Sequence, residues 1–140
     1  MGPLPALPVV GGSLLVRTDF SDDVVWRQVS AEAGAENEDG FAAHVTPISD
    51  AAFDGAGWQA VRSAVPVHAR GASVLFIADR ATFVSPDHPI LVVDLRGHEP
   101  PFRCIPPCLW SVENNLNLAN MDWNEFATAL DANATFRGFD

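Results

Sequence analysis

Short apolar runs separated by segments with helical spacing dominate the pattern of this chain. Three largely apolar runs predict buried strands, at residues 14–16, 73–78 and 90–93. Weaker or alternating segments predict three more strands, at residues 41–48, 102–105 and 116–118. Because the strongest runs are nearly continuous rather than alternating, we expect their strands to be covered on both faces. Pro47 places the 41–48 strand at an edge of the sheet or marks the end of that strand.

Apolar residues at helical spacing predict three helices. Ser21 is expected to cap the first helix, the second ends at Pro66, and Asn120 or Asp122 caps the third. The order β-α-β-α-β-β-β-β-α predicts an α/β layered fold, with a mixed, largely parallel sheet flanked by about three helices. The connection before residues 90–93 is short, so that strand is antiparallel to its predecessor or joined to it by a minimal crossover.

The domain organisation follows from composition. Residues 1–12 are rich in Pro and Gly and predict an extended arm, and residues 13–140 predict a single α/β domain. The side chains expected to be largely buried in its core come from both strands and helices. They are Leu15, Trp26, Leu75, Ile77, Val92, Trp123 and Phe126.

The charge balance limits the classes of partner. The chain has 18 acidic residues against 8 basic ones, a formal net charge of -10. This charge repels nucleic-acid phosphates and anionic membranes, and it favours a protein partner that is basic. All eight basic residues are Arg, so the sequence excludes lysine Schiff-base chemistry and a Walker-type phosphate lysine. The apolar runs are too short to cross a bilayer, and no signal peptide is recognisable, so we expect a cytoplasmic protein.

Carboxylates follow the three strongest strands. Asp19, Asp79 and Asp94 come directly after these apolar runs or at their ends, and Asp22 and Asp23 lie close to Asp19. If the strands are parallel, the five side chains converge into a candidate ligand or cation pocket, with oxygen ligands suited to Mg²⁺. The alternative is structural, because aspartates commonly end strands and begin helices.

Other chemical motifs are weak. Cys104 and Cys108 form a C-x₃-C pair, but zinc would need two further ligands, so we expect reduced thiols, no metal and no cofactor. The four histidines are scattered, and only His98 stands near the cysteines in sequence. No G-x-S-x-G elbow and no dinucleotide-binding glycine motif is present, so no catalytic residue can be assigned.

Residues 110–120 predict a candidate interface. Trp110 would act as an aromatic anchor, and the amide groups nearby would supply hydrogen bonds. The amides belong to Asn114, Asn115, Asn117 and Asn120. The alternative is that these asparagines serve turns and satisfy local backbone groups.

Several segments together carry a family resemblance: LVRTDFSDDVVW, LFIAD, LVVDL, FRCIP and NLNLANMDWNEFA. The chain resembles a family of small actinobacterial proteins of unknown function from residue 13 onward, most specifically in NLNLANMDW. The resemblance implies a bacterial cytosolic domain that stands alone, and it supplies no catalytic residues. The start of the last helix is also similar to that of some small, acidic toxin-immunity proteins.

Two functions are compatible with these observations. The first is a non-enzymatic protein-interaction module, immunity-like, that presents an acidic face to a basic partner. The second is a small enzyme or ligand-binding domain that uses Asp19, Asp79 and Asp94, with a divalent cation. A deep pocket joining the three carboxylates would favour the second, and carboxylates spread over a convex surface would favour the first.

Overall fold

Six strands form one mixed sheet in the computed structural model, which describes residues 4–66 and 72–139. The strands are β1 (Ser13–Arg17), β2 (Val45–Ile48), β3 (Val74–Ala78), β4 (Ile90–Asp94), β5 (Phe102–Cys104) and β6 (Thr135–Phe136). Their order across the sheet is β2-β1-β3-β4-β5-β6. β1 is parallel to β2 and β3, β4 is antiparallel to β3 and β5, and β6 is parallel to β5. The predicted mixed α/β fold is confirmed, and of the two positions that Pro47 indicated, β2 takes the edge of the sheet.

Five α-helices flank this sheet in the described residues. They are α1 (Asp23–Gly34), α2 (Trp58–Ser63), α3 (Arg80–Val84), α4 (Leu109–Asn117) and α5 (Trp123–Ala127). The sequence predicted three, and it missed α3 and α4. The strand expected at residues 116–118 is wrong, because Leu116 ends the buried face of α4 while Leu118 is 64% exposed. None of the described helices is long and apolar enough to cross a membrane.

The two faces of the sheet carry separate apolar clusters. Leu15, Phe76 and Val92 point to the first cluster, which α1, α4 and α5 cover. Leu75 and Ile77 point to the second, which α2 and the 3₁₀ turn at Ala51–Phe53 cover. Because both faces are covered, β1 and β3 are buried along their whole length. The predicted core residues are buried, except for Trp123, which is partly buried against the first cluster.

The N-terminal arm packs on the second face from Leu4 onward. Leu7 is buried there, and its backbone amide donates a hydrogen bond to the Ala64 carbonyl at 2.8 Å. Residues 1–3 of the predicted arm lie outside the described residues, as does His68. The arm therefore contributes to the domain core.

Candidate functional site

The carboxyl ends of β1 and β3 bring two of the predicted carboxylates to one edge of the sheet. Parallel pairing aligns Arg17 with Ala78, so Asp19 and Asp79 leave the sheet side by side. Both line a cavity of about 370 Å³, together with Asp54 and Arg80. The structure therefore brings two of the three strand-end carboxylates together.

Asp79 is held by contacts within the protein. Arg103 donates two hydrogen bonds to its carboxylate, from Nη1 to Oδ1 and from Nη2 to Oδ2, both at 2.9 Å. The same carboxylate caps α3 by accepting from the Thr82 amide at 3.2 Å. Burial raises the pKa of Asp79. The hydrogen bonds and the charge of Arg103, together with the hydrogen bonds from Thr82, lower it, and the net pKa is below the ordinary value. Asp79 is thus ionised and paired at neutral pH.

Asp19 is also satisfied locally. Its Oδ1 accepts from the backbone amide and the hydroxyl of Ser21, and Arg80 Nη1 lies 3.6 Å from its Oδ2. Burial raises the pKa of Asp19, while these hydrogen bonds and the Arg80 charge lower it to a net value below normal. The Asp19 carboxylate therefore closes the turn before α1, with Ser21 as the donor. The prediction that Ser21 caps α1 is wrong, because Asp22 is the N-cap.

The remaining two acids of this edge belong to the start of α1. Asp22 is the N-cap, accepting from the amides of Val24 and Val25 at 2.9 and 3.1 Å. Asp23, in the first turn, pairs with Arg17 at 2.9 Å from Nη2 to Oδ1. Both side chains therefore have the structural use that first-turn acids commonly have.

Arg17 is a residue of this edge that sequence reasoning missed. It is 3% exposed, and its guanidinium lies 4.3 Å from the Phe20 ring centroid, with Trp26 and Phe83 within 6 Å. Its Nε donates to the Asp19 carbonyl at 2.7 Å. The aromatic rings and hydrogen bonds together compensate the burial of the charge.

Asp94 lies at the opposite end of the strands from Asp19 and Asp79. Because β4 is antiparallel to β3, Asp94 pairs with Val74 at the amino end of β3. Its carboxylate accepts from the amides of Arg96 and Glu99 at 3.0 and 3.2 Å, which closes the turn after β4. The pocket expected to join Asp19, Asp79 and Asp94 required three parallel strands, and this condition is not met.

The cysteine pair lies near the first cluster. Cys104 is buried and Cys108 is partly exposed, and both are free thiols. Burial raises the pKa of both, far above normal for Cys104. Across residues 4–66 and 72–139, no group of three or more His, Cys, Asp or Glu side chains could hold a metal.

The candidate interface asparagines divide into two groups on α4 and the turn after it. Asn115 donates to the Ser111 carbonyl, and Asn117 bridges the Ser73 amide and the Glu113 carboxylate. These two side chains stabilise the fold. Asn114 and Asn120 are exposed and available for contacts.

Glu113 is a buried carboxylate that the sequence pattern did not single out. It is 4% exposed and accepts from the His44 amide at 3.1 Å, from the Ser13 hydroxyl at 3.3 Å and from the Asn117 amide group. It ties α4 to the start of β1 and to the segment before β2. Its position on the inward face of α4 could have been found only by treating a charged residue as part of the buried stripe.

A groove on the first-cluster side joins apolar and acidic groups; we call it the acidic groove. Its volume is about 350 Å³, and it is lined by Glu32, Ala35, Glu36, Asn37, Asp87, Ile105, Pro106 and Pro107. Glu32 Oε1 lies 2.9 Å from His88 Nδ1, and Asp87 Oδ2 lies 2.8 Å from Arg137 Nη1. The charged loop after α1 contributes one wall of the groove, at Ala35, Glu36 and Asn37, although a run of charges usually indicates only a solvent-exposed loop.

An aromatic pair of one exposed ring and one partly buried ring adjoins this groove along the chain. The rings of Phe41 and Trp110 stack with centroids 4.7 Å apart, and Phe41 is 51% exposed. Asn37 lines the groove and makes two hydrogen bonds with Phe41. Its side-chain Oδ1 accepts from the Phe41 backbone amide at 2.9 Å, and its own backbone amide donates to the Phe41 carbonyl. The loop is therefore held in place, and Trp110, which also packs against the first cluster, stays a predicted interface residue.

Comparison with known families returned one family model, described as a domain of unknown function (DUF6924), which matches residues 12–139. This agrees with the resemblance of the sequence to an uncharacterised family. No curated protein matches the chain.

Proposed function

The chain belongs to the DUF6924 family, and we propose that it is a non-enzymatic protein-interaction module that presents an acidic face to a basic partner. The acidic groove is the contact surface in this proposal. The narrower form of the proposal is an immunity-like role, in which the partner is a basic toxin.

The observation that carries the proposal is the composition of the acidic groove. Its lining combines the apolar side chains of Ile105, Pro106 and Pro107 with the carboxylates of Glu32, Glu36 and Asp87. Protein interfaces combine an apolar centre with a polar rim, and they are enriched in aromatic anchors such as the adjoining Phe41–Trp110 pair.

The charge of the whole chain supports a basic partner. The net charge of -10 would accelerate encounter with a positively charged protein, and more so at low ionic strength. The carboxylates of the groove would then fix the orientation of the bound partner, since charge complementarity determines register more than it determines affinity.

Capture of partners from the native host tests this proposal. Wild-type protein, the Glu36→Lys variant and the matched Asp54→Lys variant would be immobilised, and bound proteins identified by mass spectrometry. Both residues are exposed, and both substitutions change the net charge equally. We expect a basic protein that is retained by the wild type and by Asp54→Lys and lost with Glu36→Lys. Equal retention by all three proteins would refute the groove as the contact surface.

The alternative, a ligand-binding domain or enzyme that uses strand-end carboxylates, has less support. Asp79 is engaged by Arg103, Asp19 is engaged by Ser21, and Asp94 lies at the other end of the strands. The cavity beside Asp19 and Asp79 is the observation that favours this alternative, and loss of the captured protein with Asp54→Lys rather than Glu36→Lys would point to it.

A further inference from the structure

The acidic groove has its most negative region at the C-terminal end of α1. Glu32 lies in the last turn of α1, and Ala35, Glu36 and Asn37 follow it. The C-terminal end of a helix carries partial negative charge, and α1 has no basic residue in its last turn. The helix end and the carboxylates therefore favour a positive charge at the same place.

The carboxylates of the groove differ in their availability. Glu32 contacts His88, and Asp87 contacts Arg137. Glu36 has no side-chain partner among the hydrogen bonds and ion pairs of residues 4–66 and 72–139. Glu36 can therefore pair with an incoming cation without displacing a contact of the fold.

Arg137 shows how this region accommodates a guanidinium. Its Nη1 lies 2.8 Å from Asp87 Oδ2 and its Nε lies 2.7 Å from Asp131 Oδ2, so one arginine bridges two carboxylates at the groove wall. A planar guanidinium presents several donors at fixed angles, and its alkyl stem can lie along apolar surface. An ammonium group has only a compact point charge.

We infer that the acidic groove receives an extended segment of a basic protein through an arginine side chain, with an adjacent apolar residue against the apolar part of the lining. The guanidinium contacts Glu36 at the end of α1, and the apolar side chain packs on Ile105, Pro106 and Pro107. The volume of about 350 Å³ is at the small end of the range for ligand pockets, which suits one or two side chains rather than a folded element. This inference rests on the proposed function and specifies its ligand.

A titration of the ¹⁵N-labelled protein with short peptides tests the inference. The probe is an end-capped peptide with one arginine between two leucines, and the matched probes carry lysine or the neutral isostere citrulline in its place. We expect the arginine peptide to shift the backbone amide signals of Glu36, Asn37 and Ile105. We expect it to bind about fivefold more tightly than the citrulline peptide, a ratio that corresponds to about 1 kcal/mol. The lysine peptide should lie between the two.

Matched variants separate groove binding from general attraction to an acidic protein. Glu36→Gln should weaken the arginine peptide by several-fold, and Asp54→Asn, with the same change of charge, should leave it unchanged. Equal binding of the arginine and citrulline peptides, or equal weakening by the two variants, would overturn the inference.

The two proposals can fail separately. If the peptides do not bind the groove while Glu36→Lys still loses the captured basic partner, the arginine inference is wrong and the interaction surface stands. If the peptides bind as expected while partner capture is insensitive to Glu36→Lys, the proposed function is wrong.

Discussion

Replacing Asp79 by Asn should destabilise the protein by removing one ion pair while keeping a helix cap. Asp79 and Arg103 are paired through two hydrogen bonds of 2.9 Å, and their side chains are 27% and 23% exposed. Exposed pairs contribute about 0–1 kcal/mol, and breaking a fully buried pair costs about 3–5 kcal/mol. For this partly buried pair, we expect Asp79→Asn to cost about 1–3 kcal/mol.

The helix cap that Asp79 forms on α3 can be measured separately from the ion pair. Asn caps helices about as well as Asp does, whereas Ala removes the acceptor for the Thr82 amide. Asp79→Ala should therefore cost about 1 kcal/mol more than Asp79→Asn. Urea unfolding followed by the fluorescence of the four tryptophans measures both values, provided that the slope with denaturant is unchanged. Asp54→Asn is the control, and it should lie within about 0.5 kcal/mol of the wild type.

The same pair predicts a pH dependence of defined sign. The pKa of Asp79 is lower in the folded protein than its ordinary value of 3.8, so the unfolded chain binds the proton more readily. The stability from this group is therefore present above the unfolded pKa and is lost as the pH falls through the folded pKa. The difference between wild type and Asp79→Asn should be constant from neutral pH to about pH 5 and shrink below about pH 4. A variant as stable as the wild type at pH 7, or a difference that persists in acid, would refute this account of the pair.

Three further predictions follow from the core, the thiols and the carboxyl edge. Phe126→Ala should cost about 3–5 kcal/mol in chemical unfolding, because Phe126 is fully buried among aromatic rings; a loss under about 1 kcal/mol would contradict the layered core. A thiol reagent at neutral pH should modify the folded protein slowly and at Cys108 first, because Cys104 is buried and has the more strongly raised pKa; fast reaction of both would be inconsistent with the structure. Millimolar Mg²⁺ should change the melting temperature no more than NaCl of equal ionic strength, since Asp19 and Asp79 are already paired; a metal-specific increase that Asp79→Asn abolishes would favour the ligand-binding alternative.

The sequence predicts best those elements whose apolar and polar positions match the buried and exposed positions of the fold. The junction from β1 to α1 combines a continuous apolar run with first-turn acids, and both were placed within one or two residues. α4 was missed because its buried stripe includes Glu113, so the helical period of Leu109, Val112 and Leu116 was interrupted by a charge. The alternation of Leu116 with Leu118 then imitated a strand. Two of the groups that satisfy Glu113, the Ser13 hydroxyl and the His44 amide, are distant in sequence, so its burial leaves little local signal.

The positions of the candidate site residues were less predictable than the fold, because the direction of each strand decides at which end of the sheet its last residue lies. Asp94 follows an apolar run in the same way as Asp79, yet the antiparallel pairing of β4 places it at the other end. The acidic groove brings together residues from the end of α1, the turn at Asp87 and the segment at Pro106. No spacing in the sequence relates these three segments, since tertiary packing alone juxtaposes them.

The edge strands have a consequence for how the protein can associate. β2 includes Pro47, which removes one amide donor from a four-residue strand, and β6 at the other edge is only two residues long. Neither edge offers a long row of unpaired backbone groups, so addition of a strand from another chain is disfavoured on both sides. Short or proline-interrupted edge strands of this kind limit edge-to-edge pairing between copies of a sheet protein.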